Sequence, residues 1–500
     1  MSTVPARVAE VVSRQPGTVA IQANGRSVTY AQFWDEARAF AAALRMRGIA
    51  PGDRVAILLP NGVEAASAVY GAWLAGAIAV PLNVQAKSRE FIAWLRHCEA
   101  RHVVHEATHA DAREALDALG EGVTAWPIGP GLPLVTPDGP REVVAQAVAP
   151  DATAMILYTS GTTGAPKGVE LTHANLFANA EAVLAYLQLG PQDSVLSVLA
   201  FYYAYGASVL HTHLMAGARL VLAQNLLFPH LLMETVAHER ITGFSGVPST
   251  FALLLERVRL QDHDLSSLRY LTQAGGAMAP VLTQRLRAAI PRARLFVMYG
   301  QTEATSRLTW LPPERLDEKL GSVGIPVQGV ELRVLREDGS EATAGETGDV
   351  HVRGPNVMRG YWRDPAATAQ VLHDGWLRTG DMGHVDADGY LWLAGRRSDM
   401  IKTGAHRVHP LDVEEALLEM PGILEAAVVG IDDDVLGQVI RAYIVAPALP
   451  PDGAQRVKAH CRDRLAVYKI PRDIVFVPAL PRTASGKVRR AALLEPQSCP

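Results

Sequence analysis

Short apolar runs that alternate with helix-patterned segments constrain the fold of this 500-residue chain more than any other feature. Segments such as 31–47 and 231–239 carry apolar residues at helical spacing. The runs between such segments have the length and composition of buried strands. The predicted strands are 54–59, 194–200, 219–223 and 295–298. Alternation of this kind predicts an α/β fold, in which helices cover the faces of mainly parallel sheets.

The chain is predicted to divide near residue 396. A stretch from about 320 to 395 carries the turn signals DGS, ADG and GETGD, which indicate a small β-rich antiparallel subdomain. Beyond it, LDVEEALLEM predicts a helix that ends before Gly422. Strands at 426–431 and 439–445 and a helix at 453–466 complete a compact α+β unit. We therefore expect an N-terminal domain over 1–395, with layered α/β sheets, and a C-terminal domain over 396–500.

The composition excludes several classes of partner. With 47 basic and 51 acidic side chains the formal charge is −4, which argues against nucleic acid or an anionic membrane as the main partner. The sequence contains no run of about 18 apolar residues, so no membrane span is expected. Polar residues are spread through the N-terminal segment, which lacks a secretory apolar run. Three widely spaced cysteines fit a reducing compartment, so a cytoplasmic protein is expected.

Several histidines could suggest a metal site. His211 and His213 lie one residue apart, and His97 and His460 each precede a cysteine. None of these pairs has the spacing of a zinc site, so we expect structural or surface roles for them.

The stretch YTSGTTGAPKG at 158–168 is the strongest functional signal. Four serine and threonine side chains, three glycines and one lysine lie within it, and an apolar run precedes it. Backbone N–H groups of a glycine-rich loop can surround an anion, and hydroxyl side chains add donors. The loop is not a Walker motif, because Pro166 stands where that motif requires glycine before Lys167.

The loop resembles the phosphate loop of the adenylate-forming superfamily, which includes acyl-CoA synthetases, the adenylation domains of peptide synthetases and beetle luciferases. Four further motifs follow in the family's order, and the resemblance covers about residues 10 to 492. They are QAGGAM at 273–278, YGQTEA at 299–304, LRTGDMGHVDADGYLWLAGR at 377–396 and PRTASGKVRR at 481–490.

The resemblance implies a ligase that works in two steps. A carboxylate attacks the α-phosphate of ATP and releases pyrophosphate, and a nucleophile then attacks the acyl-adenylate and releases AMP. The implied cofactors are ATP and Mg²⁺, with CoA as co-substrate. Because the first step gathers anions, the site must supply positive charge and oriented donors.

The resemblance assigns the nucleotide site residue by residue. Glu303 is the expected Mg²⁺ ligand, Thr302 the expected partner of the α-phosphate, and Asp381 the expected acceptor for the ribose hydroxyls, with Arg396 beside it. The residues expected around the phosphates are Thr159, Ser160, Gly161, Thr162, Thr163, Gly164 and Lys167. Those expected around the adenine and the adjoining loop are Gly275, Gly276, Ala277, Tyr299, Gly300 and Gln301.

Lys487 in ASGK is the expected catalytic lysine. Its ammonium would offset the repulsion between the carboxylate and the α-phosphate. In this family the small C-terminal domain is mobile and rotates between the two steps. The hinge falls at Ser398, where many relatives carry aspartate or lysine.

The acyl pocket is expected behind LAFYYAYG at 199–206. Many acid ligases have histidine where this chain has Tyr203. The expected pocket residues are Tyr203, Tyr205, Gly206, Phe244, Ser245, Gly246 and Ala274. A mixture of tyrosine and glycine suits a small or medium aliphatic, cyclic or aromatic carboxylic acid. No charged residue in these segments is placed to bind an amino group, which argues against amino acids.

The acceptor is left open by the sequence. CoA-using relatives often have two glycines where this chain has Gly404 and Ala405, and a methyl group there could narrow the pantetheine channel. CoA is the favoured acceptor. An amine, which would make the protein an amide bond synthetase, and the thiol of a carrier protein are the alternatives. A non-catalytic nucleotide-binding module is the alternative of a different class, and a monomer or homodimer is expected.

Overall fold

The computed structural model describes residues 2–129, 134, 148–159, 166–223, 227–404, 406–433, 436–447, 452–483 and 486–494. The strands are β1 Val19–Ala23, β2 Arg26–Thr29, β3 Arg54–Leu58, β4 Ile78–Pro81, β5 His102–Glu106, β6 Thr124–Ile128, β7 Thr153–Thr159, β8 Lys167–Thr172, β9 Ser194–Ser197, β10 Arg219–Leu222, β11 Gly243–Gly246, β12 Tyr270–Gln273, β13 Arg294–Tyr299, β14 Thr309–Leu311, β15 Ile325–Pro326, β16 Glu331–Leu335, β17 Gly348–Arg353, β18 Gly360–Tyr361, β19 Leu372–His373, β20 Trp376–Val385, β21 Leu391–Arg396, β22 Ile401–Thr403, β23 His406–Val408, β24 Glu425–Asp433, β25 Gly437–Val445 and β26 Asp473–Phe476. The helices are α1 Val4–Arg14, α2 Tyr30–Met46, α3 Val63–Leu74, α4 Ser88–Cys98, α5 Ala110–Leu119, α6 His173–Leu187, α7 Ala204–Ala216, α8 Pro229–His238, α9 Pro248–Arg257, α10 Pro280–Ala289, α11 Pro365–Val371, α12 Pro410–Leu418, α13 Gly453–Arg464 and α14 Arg490–Leu494.

Two large sheets form the body of the N-terminal domain. Sheet A has the order β15-β14-β13-β12-β11-β9-β10-β1-β2, and its central strands from β13 to β1 are parallel. Sheet B has the order β18-β8-β7-β4-β3-β5-β6 and is parallel from β7 to β6. Antiparallel strands extend both sheets at their edges.

The alternation of side chains along single strands explains why sheet B has an apolar core on each face. In β3, Val55 and Ile57 belong to the core between the two large sheets, whereas Ala56 and Leu58 belong to the core on the outer face of sheet B. Successive side chains of a strand point to opposite faces, so a strand covered on both faces is a continuous apolar run. The predicted run at 54–59 therefore reflects burial on two sides.

Helices α3 and α7 lie between the large sheets. Every residue of α3 except Glu64 is buried, and α7 is buried from Ala204 to Met215. A helix that is apolar on all sides has no face for solvent, and it is found inside a protein. The space around α3 is filled by aromatic rings, including Tyr70 and Trp73, whose centroids lie 5.0 Å apart.

Two smaller sheets follow. The subdomain sheet joins β16, β17, β20, β19 and β21 in antiparallel pairs, as the turn signals predicted. The C-terminal sheet has the order β23-β22-β25-β24 with β26 beside β25, and α12 and α13 pack on it around a separate apolar cluster. The predicted α/β fold class with its β-rich subdomain is confirmed, whereas the division at residue 396 stays a prediction.

The run predicted as a strand over 194–200 ends early, at Ser197. Asn61 explains the difference, because its amide donates to Leu199 O at 2.7 Å and accepts from Phe201 N at 2.9 Å. These bonds replace ladder bonds and lead the chain into α7. In the part of the chain that the structure describes, no helix is long and apolar enough to cross a membrane.

Candidate active site

The candidate site lies where parallel strands of sheet A end. Strands β11, β12 and β13 are parallel neighbours, so their carboxyl ends meet at one edge. The segments that follow contain the predicted adenine residues and the predicted metal ligand. Open parallel sheets bind ligands at this edge. The sheet topology therefore brings together motifs that are far apart in the sequence.

The loop after β13 turns back sharply. Gly300 lies so close to the returning chain that a Cβ there would stand 1.9 Å from Ser306 O, a position that only glycine permits. A short 3-10 turn over Thr302–Ala304 follows, and Thr305 has a φ of 65°. Leu308 N then donates to Tyr299 O at 2.8 Å and closes the turn. Gln301 and Thr302 are held in this turn.

Asp381 is buried at the centre of the site, on β20. Tyr299 donates a hydrogen bond to Asp381 Oδ2 at 2.6 Å, and Arg396 Nε lies 2.9 Å from Oδ1. The Asp381 backbone N–H donates to Thr379 Oγ1 at 3.1 Å. Burial raises the pKa of Asp381, and Arg396 acts in the opposite direction. Each carboxylate oxygen retains a lone pair for a further donor.

Glu303 contacts a tyrosine of sheet B. Tyr361, on β18, donates to Glu303 Oε1 at 3.0 Å. Lys167 Nζ, at the start of β8, lies 5.5 Å from the centre of the Tyr361 ring. The structure thus brings Lys167 to the ring of Tyr361 and Glu303 to its hydroxyl. Oxygen donors of this kind suit Mg²⁺, which proteins hold by one or two carboxylates together with substrate phosphates.

Lys487 reaches this cluster from the C-terminal residues. Its pKa is lowered by the protein that crowds its ammonium and by Arg396, while Asp381 and Glu303 act in the opposite direction. Part of the residue remains exposed to solvent. Its backbone is fixed by Thr483, whose N–H donates to Lys487 O at 2.7 Å and whose Oγ1 accepts from Lys487 N at 3.1 Å.

Gly486, in the turn from Thr483 to Lys487, lies against the N-terminal domain. Its φ is 83°, and a Cβ there would lie 3.2 Å from Ser249 Oγ and 3.3 Å from Val247 Cγ2. A Cβ at this position would require Ser249 or Val247 to shift by a few tenths of an ångström. Val247 follows β11 directly and also lies 3.1 Å from the Cβ position of Gly275. Val247 therefore lies next to both Gly275, in the segment expected to contact adenine, and Gly486, in the turn that holds Lys487.

The predicted acyl-pocket residues divide between two faces of sheet A. The Tyr205 hydroxyl lies 2.8 Å from Thr272 Oγ1, which donates to Ser245 Oγ at 2.8 Å. Gly206 permits the start of α7 to approach Ala200 O, which would lie 2.1 Å from a Cβ. Phe244 points to the opposite face from Ser245 and packs on Phe251 in the outer core.

The remaining pocket residues lie near the same edge. Gly246 ends β11, Ala274 is buried just after β12, and Tyr203 precedes α7 with its ring centre 4.6 Å from that of Tyr202. Gly276 O accepts a hydrogen bond from the Gln273 amide at 2.8 Å, which fixes the segment that includes Ala277.

The predicted acceptor and hinge residues lie on the C-terminal side. Gly404 has a φ of 56°, and its N–H donates to Leu436 O at 2.8 Å. Ser398 lies in a 3-10 turn and donates to Asp399 Oδ1 at 2.9 Å. The predicted residues Ser160, Gly161, Thr162, Thr163, Gly164 and Ala405 lie outside the described residues.

The histidines noted in the sequence are packed in the interior or bonded to neighbours. Burial lowers the pKa of His211 to about 3 and that of His213 to about 4. His213 Nε2 lies 2.8 Å from the Tyr270 hydroxyl, and His97 Nδ1 lies 2.8 Å from the Tyr158 hydroxyl. Both buried imidazoles are therefore neutral at physiological pH.

Sequence reasoning missed Tyr361, Thr272, Thr379 and Arg307. Tyr361 follows Glu303 by 58 residues in the chain and belongs to another sheet. No local pattern could have predicted this contact. For Arg307 the sequence does offer a signal, since a charged residue stands two positions before the strand β14.

Two family models match the chain. Residues 8–362 match the model described as AMP-binding enzyme, and residues 412–487 match the AMP-binding enzyme C-terminal domain. Two curated relatives are similar over nearly the whole chain. A feruloyl-CoA synthase of Amycolatopsis is 35% identical over 95% of this chain and 94% of its own. An indoleacetate–CoA ligase of Aromatoleum aromaticum is 34% identical over the same shares.

Solved structures agree with these matches. O-succinylbenzoate CoA synthetase from Bacillus subtilis, in complex with its acyl-adenylate intermediate, superposes with a TM-score of 0.88 at 31% identity and covers 99% of this chain and 98% of its own. The same enzyme in complex with ATP and a magnesium ion gives a TM-score of 0.86 at 31% identity, over 97% of this chain and 98% of its own.

Proposed function

The chain belongs to the AMP-binding enzymes of the adenylate-forming superfamily, and we propose that it is an ATP-dependent, AMP-forming ligase that joins a carboxylic acid to the thiol of CoA. The observation that carries the proposal is the position of Lys487. A lysine of the C-terminal residues lies within electrostatic reach of Asp381, Arg396 and Glu303. A protein that only bound a nucleotide would need no such convergence.

In the first step a carboxylate oxygen of the acid attacks the α-phosphorus of ATP, and pyrophosphate leaves. Asp381 holds the ribose hydroxyls, and Tyr299 and Arg396 orient its carboxylate. Thr302 donates to the α-phosphate from the tight turn after β13. Lys487 lies between the two reacting anions, where its charge offsets their repulsion. The lowered pKa reflects the crowded cleft in which that charge must act.

Mg²⁺ fits the residues present. Among the described residues, Glu303 accepts a side-chain hydrogen bond on Oε1 from a neutral tyrosine, so the carboxylate can offer Oε2 to a hard cation. When bound, the ion supplies positive charge against the phosphates of ATP. Lys167 and the glycine-rich loop before it hold the β- and γ-phosphates.

In the second step the CoA sulfur attacks the acyl carbon, and AMP leaves with the bonding electron pair. Lys487 closes the cleft during adenylation, so the acceptor reaches the acyl-adenylate only after the C-terminal domain has turned. We assign Ser398 as the hinge and Gly404 as part of the acceptor channel. A short 3-10 turn with a side-chain bond to Asp399 can change its backbone angles at small cost.

Three of the relatives favour an acid that carries a ring. Feruloyl-CoA synthase, indoleacetate–CoA ligase and o-succinylbenzoate CoA synthetase are each named for an aromatic acid. Tyr203, Tyr205 and the glycines at the ends of β11 and α7 give this chain a pocket wall of matching character.

A cytoplasmic location is proposed with the function. The buried thiols of Cys98 and Cys461 are free, as in a reducing compartment.

The first experiment measures the acceptor. The purified protein receives ATP, Mg²⁺ and a panel of acids, and products are identified by mass spectrometry with CoA, with a panel of amines, or with neither. We expect acyl-CoA. Amide without thioester would make the protein an amide synthetase and would point to Ala405 as a block in the channel. Acyl-AMP that neither acceptor captures would indicate a carrier protein as the acceptor. In a separate measurement, size-exclusion chromatography with light scattering distinguishes the proposed monomer from the homodimer.

A further inference from the structure

Arg307 is a buried arginine beside the proposed acyl pocket, with an exposed fraction of only 2%. Among the described residues no carboxylate forms an ion pair with it, and its side-chain bonds go to Met298 and Ser306. An arginine keeps its proton at any physiological pH. A buried charge without a counter-charge is costly, so an anion that bound beside the guanidinium would be stabilised there.

The described groups that bond or stack on the guanidinium are neutral. Its Nε donates to Met298 Sδ at 3.3 Å, and its Nη1 donates to Ser306 Oγ. Its Cζ lies 4.1 Å from the centre of the Tyr205 ring. Burial raises the pKa of Tyr186 to about 12 and Arg307 acts against that, so this phenol is also uncharged. A thioether and a hydroxyl are weak partners for a cation, and guanidinium N–H donors remain for an incoming acceptor.

The position of Arg307 is fixed by its backbone. Its carbonyl oxygen accepts hydrogen bonds from the amides of Asn356 at 2.7 Å and Asn179 at 3.1 Å. The residue also ends the tight turn that begins at Gly300. A guanidinium whose main chain is held at two points loses little freedom when it binds an anion.

Tyr205 connects the Arg307 guanidinium to the proposed acyl pocket. The face of Tyr205 stacks on Arg307, and its hydroxyl bonds to Thr272, which continues to Ser245. These residues form the proposed wall of the acyl pocket. The same turn carries Thr302 and Glu303, so Arg307 and the nucleotide site are two ends of one loop.

We propose that Arg307 binds a second anionic group of the acid substrate, such as a second carboxylate, and thereby selects dianionic acids. The inference rests on the proposed function. The reacting carboxylate meets ATP beside Lys487, and the second carboxylate lies against the Arg307 guanidinium, whose planar donors match a carboxylate in two parallel bonds. Tyr205 packs against the carbon skeleton between them.

The test uses matched acids that differ by one carboxylate: 3-phenylpropanoate against 3-(4-carboxyphenyl)propanoate, and heptanoate against pimelate. Release of pyrophosphate and formation of acyl-CoA give kcat/KM for each. The variants are Arg307→Gln, Arg307→Lys, and Arg294→Gln as a matched control, because Arg294 lies on the adjoining strand β13 with an exposed ion pair. Thermal shift by ATP checks that each variant is folded.

We expect the unaltered enzyme to prefer the diacid of at least one pair by roughly 100-fold, since a site built for a polar group rejects the analogue that lacks it. Arg307→Gln removes the preference by lowering kcat/KM for the diacid, Arg307→Lys retains part of it, and Arg294→Gln retains it fully. Equal use of both acids by the unaltered enzyme overturns the inference, as does an equal loss on both acids in Arg307→Gln. Absence of pyrophosphate release with every acid, while ATP still shifts the melting temperature, overturns the proposed function itself.

Discussion

Tyr299 and Asp381 are joined by a hydrogen bond of 2.6 Å between the tyrosine hydroxyl and Oδ2. The bond connects β13 of sheet A to β20 of the subdomain sheet, and both residues are buried. It therefore fixes the proposed ribose acceptor relative to the strand end that carries the adenine and phosphate residues.

Asp381→Asn is expected to weaken ATP binding by about 10- to 100-fold, because an amide offers one acceptor oxygen where the carboxylate offers two charged ones. Tyr299→Phe removes only the orienting bond, so a smaller loss is expected. Calorimetric titration with ATP measures both. ATP affinity in Asp381→Asn equal to that of the unaltered protein would contradict the assignment of Asp381.

Lys487→Ala is expected to lower the rate of acyl-adenylate formation by about 100-fold or more while ATP affinity stays within a few-fold. The reason is that the ammonium acts between the reacting groups and not on the nucleotide alone. Lys458→Ala, on α13 of the same domain, is the control and should leave the rate unchanged. Parallel losses of rate and ATP affinity in Lys487→Ala would show that the lysine serves binding.

The pH dependence of adenylation should reflect the same lysine. Crowding around the ammonium lowers the pKa of Lys487 from 10.5. The charged form is lost as the pH rises through the pKa. Activity should therefore decline with rising pH, and the decline should begin at a lower pH than for a lysine with a pKa of 10.5. Lys487→Arg should move that decline to higher pH, since arginine stays charged. Rates of pyrophosphate release between about pH 7 and 10 test this.

Two glycines of the nucleotide site should respond differently to an added methyl group. Gly300→Ala places a Cβ 1.9 Å from Ser306 O, so the turn must open, and a loss of about 3 kcal/mol or more in the free energy of unfolding is expected. Gly276→Ala meets only Pro248 at 3.6 Å, which is an ordinary contact, and should change stability by less than about 1 kcal/mol. Denaturant titration of both variants makes the comparison, and equal stabilities would refute the tight turn.

The ion pair between Arg490 and Glu414 should stabilise the C-terminal domain. Glu414 is buried, bonds Arg490 Nη2 through both oxygens at 2.7 and 2.8 Å, and accepts from Val428 N at 2.8 Å. Arg490→Met leaves this carboxylate without its cation, so a loss of about 2–3 kcal/mol is expected. The control, Arg464→Met, breaks the exposed pair with Glu419 and should cost less than about 1 kcal/mol.

Glu415 gives a pH-dependent term of the opposite sign to most carboxylates. Burial, followed by the negative charges of Asp412, Glu414 and Glu419, raises its pKa from 4.5 to about 6. The folded state binds the proton more tightly, so stability falls as the pH rises from about 4.5 to about 6. Glu415→Gln should therefore gain about 1–2 kcal/mol at neutral pH and nothing near pH 4. Hydrogen exchange over 410–445 measures the gain, and a gain that persists at pH 4 would exclude this cause.

The sequence predicted the elements that one periodicity controls. Val55 to Leu58 form a continuous apolar run because both faces of sheet B are covered, and such a run is visible without a structure. The motifs around Asp381 and Glu303 were assigned through the family resemblance, since their chemistry lies in a few residues at fixed spacing.

The remaining features depend on contacts between distant segments. Whether Phe244 or Ser245 faces the pocket depends on the register of β11 in sheet A, and a single strand of small and apolar residues does not specify it. The contact of Tyr361 with Glu303 requires that β18 joins sheet B beside the end of sheet A. Neither relation has a local signal.

The turn from Gly300 to Arg307 is one short piece of chain that joins the proposed nucleotide residues to the guanidinium proposed to bind the acid. Occupancy at one end that tightens the turn necessarily alters the affinity at the other, and thermodynamic linkage makes the two effects equal in size. ATP should therefore change the affinity for the acid by the same factor by which the acid changes the affinity for ATP. In such an enzyme the coupling between the two substrates depends on seven consecutive peptide units, and a change in the turn can alter it without touching either ligand.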